Sequence, residues 1–405
     1  MAVEVEEALR LIYKNVKKKS AKVLPIEEVL GSVLAQDIVA SHNLPPYDNS
    51  AMDGYAVKVS DAGNCMKVNH TIFAGDNSNE ELSNSVAIKI MTGAKIPKGC
   101  ELIVPMEDTT KCENGVVLPE KLVASRHVRL CGEDIKIGTK LLQDGEKLQA
   151  HHVALLASQG ISHVKVYRKP RIAIFASGSE LKMHFESVES YQLYNTNALS
   201  FFARSLELGC EVDFIGTAND TLEDIKDYIK SSLDSDLIIT SGGASFGDAD
   251  FTKEAFGAFG IEIIFDYIKI KPGKPTAFGC INDTLVLNLP GNPLAAALNF
   301  ELFGQSIILA LRGESSKYLS SINAKMNNDY KIKKGRRTLI PGNFDGKYFI
   351  PCNNFAPGMV LPLAISNSYI MVDENIDFLK SESIVKVIST RFSFNSKEKT
   401  DLVSK

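Results

Sequence analysis

Apolar residues near the start of the chain recur at the spacing of one helix face. Val5, Leu9, Ile12 and Val16 follow one another at intervals of three or four residues, which is the period of an amphipathic helix. The lysine run at positions 17–19 follows directly. The pattern predicts a first helix whose basic end is a solvated surface cap.

Short β-like runs dominate from residue 45 to residue 144. They are separated by Gly, Asn, Pro and Asp, and they include YAVKV, VAIKI, ELIVPM, GVVLP and HVRL. Residues 146–160 return to helical periodicity and end at a glycine suited to a helix C-terminal cap. We therefore predict a mostly β domain at 45–144 and a helical linker domain made of 1–44 and 145–167, with its second helix packed beside the first.

The region from 168 to 314 alternates predicted strands with predicted helices. RIAIFASG, EVDFIGT, DLIITSGG and TLVLNLPGNP read as strands that run into loops. Such alternation favours a doubly wound parallel sheet covered by helices on both faces. One helix carries a start signal, Asp220 followed by Glu223. Residues 315–405 show β patterning again and predict a small C-terminal β domain of barrel-like architecture.

Composition narrows the class of protein. The 405 residues are 44% hydrophobic and 23% charged, which is ordinary for a globular protein of several domains. The formal net charge of -4 supplies no general attraction for nucleic acid or an anionic membrane, so neither is an expected partner. We also expect no secretion signal and no apolar stretch long enough to span a membrane.

The cysteines indicate a reducing compartment. The seven cysteines are scattered along the chain and never form a CxxC pair. We therefore expect them to be reduced, in a cytoplasmic protein.

Three glycine-rich loops follow predicted strands of the α/β region. SGSE follows RIAIFA, SGGASFGDAD follows DLIIT, and PGNP follows TLVLNL. Ligands of open α/β sheets bind beyond the carboxyl ends of the strands, and amides at helix starts favour phosphate, so these loops predict an anion site. For any one loop, simple turn formation is an equally good explanation. Neither a Walker P-loop nor a GxGxxG fingerprint is present, which indicates a site of another type.

Charged residues accompany the small residues of these loops. Lys269, Lys271 and Lys274 in IKIKPGKP predict an anion clamp on a restricted turn. Carboxylates among small residues are typical of a hard divalent cation beside a phosphate, Mg²⁺ above all. The carboxylates in such settings are Asp53, Asp134, Glu180 and Asp250. Each of them alone would be unremarkable on a surface.

Seven strings of the sequence together resemble one known family. NLPPYDNSAMDGYAV, IMTGAKIP, RLCGEDIKIG, SGSEL, TSGGASFGDAD, KPGKPTAFG and NLPGNPLAAA are similar to the successive signatures of the MoeA and gephyrin E-domain family, in that family's order. The resemblance covers residues 1 to about 390. The α/β region alone is also similar to the pterin adenylyltransferases and to CinA-like proteins.

The resemblance implies a multidomain homodimer with its active site between the α/β domain of one subunit and parts of the other. It implies a reaction in which molybdopterin-AMP and molybdate give molybdenum cofactor and AMP, with Mg²⁺ required. The pterin adenylyltransferase and acceptor molybdoenzymes then become expected partners. Cleavage of a phosphoanhydride depends on positioning and charge neutralisation, which suits the predicted loops and cations.

The resemblance also assigns roles to individual residues. Those expected to act in catalysis are Asp53, Thr92, Asp134, Glu180, Asp220 and Asp250, of which Glu180 and Asp250 are also expected to hold the metal. Those expected to bind the pterin nucleotide are Ser177, Gly178, Ser241, Gly242, Gly243, Ser245, Lys271, Lys274, Pro290, Gly291, Asn292 and Pro293.

Some positions depart from the family pattern. Tyr267 stands where relatives often carry a basic residue, and Leu361 and Pro362 stand where they tend to have serines. Which residues hold the oxyanion is therefore open, with Arg336 and Arg337 as candidates. These departures keep a second hypothesis open, a scaffold or carrier that binds the pterin without catalysis. A third hypothesis, pterin adenylyltransferase activity, would need only the α/β region.

Overall fold

The front half of the chain consists of one helix followed by short strands. The structure, a computed structural model, describes residues 2–77, 79–242 and 251–391. Helix α1 (Val5–Asn15) buries one apolar face, as its spacing predicts. The strands that follow, up to residue 130, are β1 (Ala21–Pro25), β2 (Ile38–Val39), β3 (Asn49–Ser50), β4 (Gly54–Val57), β5 (Cys65–Ile72), β6 (Val86–Ile90), β7 (Leu102–Pro105), β8 (Thr110–Cys112), β9 (Gly115–Val117) and β10 (Val128–Arg129).

The lysine run at 17–19 does not cap the first helix. Helix α1 ends before the run, which forms part of the link to β1. Lys18 pairs with Asp144 at 3.0 Å, and Lys19 pairs with Asp236 at 3.0 Å. The predicted cap was wrong, although Lys17 and Lys18 are exposed as expected. The ion pairs could not be predicted, because partners that are distant in sequence leave no mark on the local pattern.

Six strands form the sheet of the front domain. Their spatial order is β7–β4–β6–β5–β9–β8, in which β5 and β6 are parallel and the other neighbours antiparallel. Apolar residues are buried on both faces, in two separate cores. Strands β3 and β10 pair with each other outside this sheet. The predicted β runs are therefore strands of a mostly β unit.

The expectation of reduced cysteines was wrong for one pair. Cys65 of β5 and Cys112 of β8 form a disulfide, and their strands flank β9. The other five cysteines are free. The pair is separated by 47 residues, so no local spacing marks it in the sequence.

Strand pairing joins the two segments of the linker region. Strand β11 (Lys140–Leu142), helix α2 (Ala150–Ser158) and strand β12 (His163–Tyr167) follow the front domain. Strand β12 pairs antiparallel with β1, and β11 with β2. Helix α2 belongs to the core beneath these pairs, whereas α1 belongs to the core of the α/β region. The predicted packing of the two helices was wrong, because periodicity identifies a buried face but not its partner. The domain boundaries themselves stay a prediction.

The α/β region follows β12. A π-helical turn at Phe300–Gly304 joins its last two helices. In chain order its elements are β13 (Arg171–Ser177), β14 (Leu181–Lys182), β15 (Leu193–Tyr194), α3 (Asn197–Glu207), β16 (Glu211–Ala218), α4 (Leu222–Ser232), β17 (Leu237–Ser241), α5 (Phe251–Ala258), β18 (Glu262–Phe265), β19 (Ile270–Lys271), β20 (Ala277–Ile281), β21 (Thr284–Leu289), α6 (Pro293–Asn299) and α7 (Gln305–Leu311).

Six of these strands form one sheet, in the order β16–β13–β17–β21–β20–β18. The first four run parallel, and β20 and β18 add an antiparallel edge. Helices α1, α3, α6 and α7 cover one face, and α4 and α5 cover the other. Strands buried on both faces have continuous apolar sequences, such as β13 and β17. The predicted doubly wound sheet is confirmed. Its antiparallel edge, β20 and β18, was not predicted.

The final helices of this region form a buried core element. Residues Pro293–Leu311 have the length and apolar composition of a membrane span, contrary to our expectation that no stretch has them. However, 83% of the most apolar window of this stretch is buried within the protein. It is therefore a core helix, packed against α1 and α3.

A closed barrel forms the C-terminal region. Its elements are β22 (Ile322–Met326), β23 (Tyr330–Lys331), β24 (Arg337–Phe344), β25 (Tyr348–Pro351), α8 (Leu361–Ile365), β26 (Ser368–Val372), β27 (Phe378–Leu379) and β28 (Ile384–Ser389). The order β24–β25–β22–β28–β26 closes because β26 pairs back onto β24. The predicted barrel-like domain is confirmed. Strand β19 of the α/β region also pairs with β24. This pairing places the turn that carries Lys271 and Lys274, which we term the basic turn, at the junction of the two domains.

Candidate ligand-binding site

The predicted ligand loops meet at one edge of the α/β sheet. Strands β13, β16, β17 and β21 end at Ser177, Ala218, Ser241 and Leu289, and because they are parallel their carboxyl ends lie on the same side. The SGSE loop, the start of the SGGASFGDAD loop and the PGNP loop therefore lie side by side. We term this place the ligand edge. Predicted site residues that lie outside the described residues are Gly243, Ser245 and Asp250.

The contact between the ends of β13 and β17 requires a glycine. Gly242 has a φ of +100°, and a β-carbon there would lie 2.1 Å from the carbonyl oxygen of Ser177. Both the left-handed backbone and the missing space exclude a larger residue. Because Ser177 is itself buried, this part of the ligand edge is a rigid contact between two backbones.

Two asparagines that the sequence analysis missed tie the loops together. The Nδ2 atom of Asn197, at the start of α3, donates to Oγ of Ser241 at 2.7 Å and to the carbonyl oxygen of Gly291 at 2.8 Å. The Nδ2 atom of Asn195 donates to Oγ1 of Thr217 at 2.8 Å, near the end of β16. These bonds connect the start of α3 and the segment just before it to the ends of three strands. The adjacent string YNTN was a signal for a turn, but its partners could not be predicted.

The PGNP loop opens helix α6, but the start of that helix is already occupied. The backbone nitrogens of Leu294 and Ala295 donate to the carbonyl oxygen of Pro357, at 2.9 and 3.4 Å. Pro357 belongs to the barrel domain, between β25 and α8. The expectation that amides at this helix start are free for phosphate was therefore wrong. Gly291 and Asn292 are exposed at the tip of the loop.

Glu180 and Asp220 lie on neighbouring loops of the ligand edge. Both carboxylate oxygens of Glu180 lie 3.0 Å from the position that a β-carbon on Gly178 would take. Oδ2 of Asp220 accepts a hydrogen bond from the backbone nitrogen of Ser179 at 3.4 Å, and Oγ of Ser179 accepts one from the nitrogen of Asp220 at 3.3 Å. Ser179 therefore links the loop that carries Glu180 to the loop that carries Asp220.

The carboxylate of Asp220 does not cap the following helix. Thr221 is the residue before α4, and its Oγ1 accepts from the backbone nitrogen of Asp224 at 3.3 Å. The start signal predicted the helix correctly but placed its cap one residue early. The carboxylate of Asp220 is therefore not used as a helix cap and is available at the ligand edge.

The basic turn after β19 is held by the core helix. The peptide bond between Lys271 and Pro272 is cis, and Gly273 has a φ of +103°. Nδ2 of Asn299, a fully buried residue of α6, donates to the carbonyl oxygen of Pro272 at 3.2 Å. The turn that carries Lys271 and Lys274 is therefore fixed by the interior of the α/β domain.

Lysines from two domains line a cavity beside this turn. The cavity has a volume of about 350 Å³ and is lined by Lys271, Lys331 and Lys333, with Tyr330 and Thr338. Among the described residues that line it, none is a carboxylate. We term it the lysine pocket. The sequence analysis missed Lys331 and Lys333, because they lie in an ordinary β region and face the turn only through the pairing of β19 with β24. An oxyanion is the ligand that such a lining favours.

Two other predicted basic contributors, Lys269 and Arg337, are engaged elsewhere. Lys269 pairs with Glu4 at 2.6 Å, and Arg337 pairs with Glu6. Both acids lie at the start of the chain, so these two cations join the N-terminal segment to the α/β and barrel domains. Neither lines the lysine pocket.

The departures from the family pattern have defined positions. The ammonium of Lys274 lies over the ring of Tyr267, 5.4 Å from its centre, which is a cation–π contact. Pro362 is buried in the first turn of α8, and Leu361 beside it is 66% exposed. Tyr267 therefore supports one lysine of the basic turn, although it carries no charge.

Asp53 and Thr92 form a polar pair in the front domain. Oδ1 of Asp53 accepts hydrogen bonds from the backbone nitrogen of Thr92 at 2.7 Å and from its Oγ1 at 2.8 Å. These bonds hold the pKa of Asp53 below its usual range. The carboxylate is therefore ionised at neutral pH.

The three front-domain motifs, NLPPYDNSAMDGYAV, IMTGAKIP and RLCGEDIKIG, contact one another through the first of them. Asn49 forms a β-bridge with Lys95, and the backbone nitrogen of Asp134 donates to the carbonyl oxygen of Leu44 at 3.0 Å. Across residues 2–77, 79–242 and 251–391, no strand of the front sheet packs extensively against an element of the α/β region. Within one chain, the front-domain residues and the ligand edge are thus two separate groups.

Comparison with known proteins identifies the family. Models of three of its parts match in succession: the MoeA N-terminal region (domain I and II) at residues 3–160, the probable molybdopterin binding domain at 173–310, and the MoeA C-terminal region (domain IV) at 323–390. A molybdopterin molybdenumtransferase of Haemophilus influenzae is 38% identical over 295 residues, which are 72% of this chain and 73% of the relative. Another, of Staphylococcus epidermidis, is 30% identical over 404 residues, 96% of each chain. The chain belongs to the MoeA family.

A solved structure of the family has the same fold. The crystal structure of a molybdopterin biosynthesis MoeA protein from Pyrococcus horikoshii matches with a TM-score of 0.84 at 28% identity, and the match covers 97% of this chain and 100% of that one. The MoeA assignment therefore applies to the whole architecture of front domain, α/β domain and barrel.

Proposed function

We propose that this MoeA-family protein is an enzyme that inserts molybdenum into adenylated molybdopterin and releases AMP. The observation that carries the proposal is the position of the lysine pocket next to the ligand edge. Pro357 lines the pocket and also accepts the first amides of α6, directly after the PGNP loop. A cavity for an oxyanion and an edge for a pterin nucleotide are therefore adjacent, as a reaction between the two substrates requires.

The pterin nucleotide binds along the ligand edge in this proposal. Its phosphates lie against the backbone at Gly291, where a β-carbon would meet only the Cα atom of Gly242, at 3.8 Å, so that close approach is possible. Gly291 and Asn292 form the exposed end of the same edge. The edge is rigid, because hydrogen bonds from Asn197 connect its loops, and rigidity favours the positioning on which anhydride cleavage depends.

Molybdate, the second substrate, occupies the lysine pocket. The cationic groups of Lys271, Lys331 and Lys333 offset the charge of a dianion, and no carboxylate among the lining residues of the described chain opposes it. The volume of about 350 Å³ exceeds what one tetrahedral oxyanion needs. The remaining space lets the reacting end of the pterin enter from the ligand edge.

The oxygen donors at the ligand edge suit Mg²⁺. In the described ranges, no group of three or more His, Cys, Asp and Glu side chains could hold a metal ion by itself. Mg²⁺ commonly takes only one or two carboxylates and completes its shell with water and phosphate. Glu180 would hold it, together with Asp250 from outside the described residues and with Asp220 nearby. Bound there, Mg²⁺ would neutralise charge on the phosphates.

The protein acts as a homodimer in this proposal. Asp53, Thr92 and Asp134 are ligand-type residues, yet within one chain they lie apart from the ligand edge. A second subunit would bring its front domain to that edge. We further propose a cytoplasmic location, with the pterin adenylyltransferase as the source of the substrate and molybdoenzymes as acceptors of the product.

AMP release tests the function. The protein is incubated with molybdopterin-AMP, Mg²⁺ and molybdate, and AMP is measured over time. Turnover that depends on molybdate supports the enzyme. Binding of the pterin nucleotide without AMP release would indicate a scaffold or carrier, and formation of the nucleotide from ATP and molybdopterin would indicate an adenylyltransferase.

A matched pair of variants tests the lysine pocket. Lys331→Ala combined with Lys333→Ala should weaken molybdate binding, measured by calorimetry without pterin, by about tenfold or more. Lys111→Ala combined with Lys121→Ala removes the same charge from exposed positions of the front domain and should leave the affinity unchanged. Equal affinity in both double variants would remove the pocket from the site.

A further inference from the structure

A second cavity lies at the opposite edge of the α/β sheet, at the amino ends of its strands. It has a volume of about 680 Å³ and is lined by residues around the starts of β17 and β21 and by the link between α1 and β1. Strand β17 runs from Leu237 to Ser241, and at roughly 3.3 Å per residue its two ends are about 13 Å apart. The cavity, which we term the basic groove, is thus separate from the ligand edge.

Cationic side chains dominate the basic groove. The cations that line it are Lys14, Lys17, Lys18, Lys19 and Arg168, and the carboxylates are Asp236 and Asp283. The chain as a whole carries a formal charge of -4. The groove therefore has the opposite sign to the molecule, which concentrates anions locally.

One of the two carboxylates is neutralised within the wall of the groove. Oδ2 and Oδ1 of Asp236 accept hydrogen bonds from Arg168 at 2.6 and 2.7 Å, Lys19 approaches to 3.0 Å, and the backbone nitrogen of Arg171 donates at 2.8 Å. Burial alone would raise the pKa of Asp236, but these contacts lower it. Two cations share one ionised carboxylate, so the wall is rigid and keeps a net positive charge.

The rim of the groove carries further positive charge. Lys14 and Lys17 are exposed, and within the described ranges they form no ion pair. Lys18 pairs with Asp144, outside the groove. The second carboxylate of the lining, Asp283, lies on the turn between β20 and β21 and offsets part of this positive charge. The exposed ammonium groups of Lys14 and Lys17 thus add to the positive charge of the wall.

We propose that the basic groove binds a phosphate-bearing anion of about nucleotide size. Its volume falls within the range of small-molecule sites and exceeds that of a single phosphate. The anchored wall supplies fixed positive charge, and the lysines of the rim supply compact, mobile ammonium groups that follow the oxygens of several phosphates. Because the groove lies across the sheet from the ligand edge, its ligand does not compete with the pterin nucleotide. The inference goes beyond the proposed function.

Calorimetry with inorganic pyrophosphate and with ATP tests the groove. Binding is measured at low ionic strength in the Lys271→Ala, Lys274→Ala background, which weakens anion binding at the junction of the α/β and barrel domains. We expect Lys14→Glu combined with Lys17→Glu to reduce the affinity for both probes at least about tenfold. Lys111→Glu combined with Lys121→Glu makes the same change in net charge on the front domain and should reduce it much less.

Two further variants complete the test. Asp283→Asn removes the opposing carboxylate and should increase the affinity for both probes. Lys14→Gln combined with Lys17→Gln should weaken binding without reversing charge, and melting temperatures check that each variant is folded. The proposal is overturned if neither probe binds the background protein, or if the Glu variants at positions 14 and 17 keep its affinity. It is also overturned if the Glu variants at 111 and 121 lose affinity equally. ATP binding without pyrophosphate binding would show recognition of the nucleoside and would contradict a phosphate site.

Discussion

The side-chain amide of Asn299 fills the space in which Gly273 would need a β-carbon. That carbon would lie 1.8 Å from Nδ2 of Asn299, and the backbone of Gly273 is left-handed, with a φ of +103°. Gly273→Ala should therefore displace the asparagine and loosen the basic turn. We expect a loss of about 3 kcal/mol in the free energy of unfolding, measured in urea, from strain and steric overlap together.

A glycine with similar backbone and open surroundings separates the two contributions. Gly346 has a φ of +106° and no atom within 4 Å of a β-carbon. Gly346→Ala should cost about 1 kcal/mol, since only backbone strain remains. Calorimetry should also show weaker molybdate binding in Gly273→Ala but not in Gly346→Ala, because only the first substitution shifts Lys271 with the turn. Equal losses of stability in the two variants would contradict the overlap with Asn299.

The ligand edge gives a second prediction. Asn197→Ala leaves the Gly291 carbonyl and the Ser241 hydroxyl without their shared donor. We expect stability to fall by about 1 kcal/mol and affinity for molybdopterin-AMP to fall about tenfold, because two loops lose their alignment. Asn15→Ala also removes an amide that donates to a carbonyl, that of Leu11, at the exposed end of α1. This control should leave affinity for the nucleotide at the parental value.

The Asn197 contacts also show where sequence-based prediction stops. Continuous apolar runs and turn residues were enough to predict the four parallel strands of the α/β sheet, but not its antiparallel edge. The parallel order then implied that Ser177, Ser241 and Gly291 lie on one edge. The bonds that connect them come from a helix start whose sequence is compatible with many partners. Side-chain hydrogen bonds between distant segments have no periodic signal.

Contacts between domains limited the prediction in the same way. The PGNP loop and the following helix were predicted from local residues, but the amides of Leu294 and Ala295 donate to Pro357, more than sixty residues away. Lys331 and Lys333 reach the basic turn only because β19 pairs with β24. Motifs therefore predicted the elements of the candidate site, whereas the relation of the barrel to the α/β domain required the structure.

Asp236 gives a pH-dependent prediction. Its pKa is below the ordinary value in the folded protein, despite burial, because Arg168, Arg171 and Lys19 stabilise the ionised form. A lowered pKa means that the stabilisation is complete above the unfolded value of about 4 and disappears as pH falls through the lower, folded value. Asp236→Asn should therefore cost on the order of 3 kcal/mol at pH 7. The difference from the parent should shrink below about pH 4.

An exposed ion pair provides the control for that measurement. Asp213 lies 3.6 Å from Arg171, and both side chains are at least half exposed. Asp213→Asn should change the free energy of unfolding by less than about 1 kcal/mol at either pH. Urea denaturation from pH 7 down to pH 3 measures both variants. A constant difference between Asp236→Asn and the parent over this range would show that the carboxylate contributes through packing and not through its charge.

The last prediction concerns the shared site of the proposed homodimer. Asp53→Asn keeps a hydrogen-bond acceptor for Thr92 but removes the charge, so this variant should fold and lose AMP release. Lys271→Ala combined with Lys274→Ala should lose AMP release through the other half of the site. If each site combines the front domain of one subunit with the α/β domain of its partner, a mixed dimer of the two variants contains one intact site and one site with all the changes.

Exchange of subunits between these two inactive variants should therefore restore activity. Random exchange makes half of the dimers mixed, and each mixed dimer has one working site of two, so AMP release should return to about a quarter of the parental rate. If the site lies within one chain, no mixture contains an intact site and AMP release stays at the level of the separate variants. Light scattering before and after exchange confirms that the protein is dimeric under the assay conditions. A stable monomer with parental activity would exclude the shared site, whatever the mixing experiment gives, because one chain would then supply every group that the reaction needs.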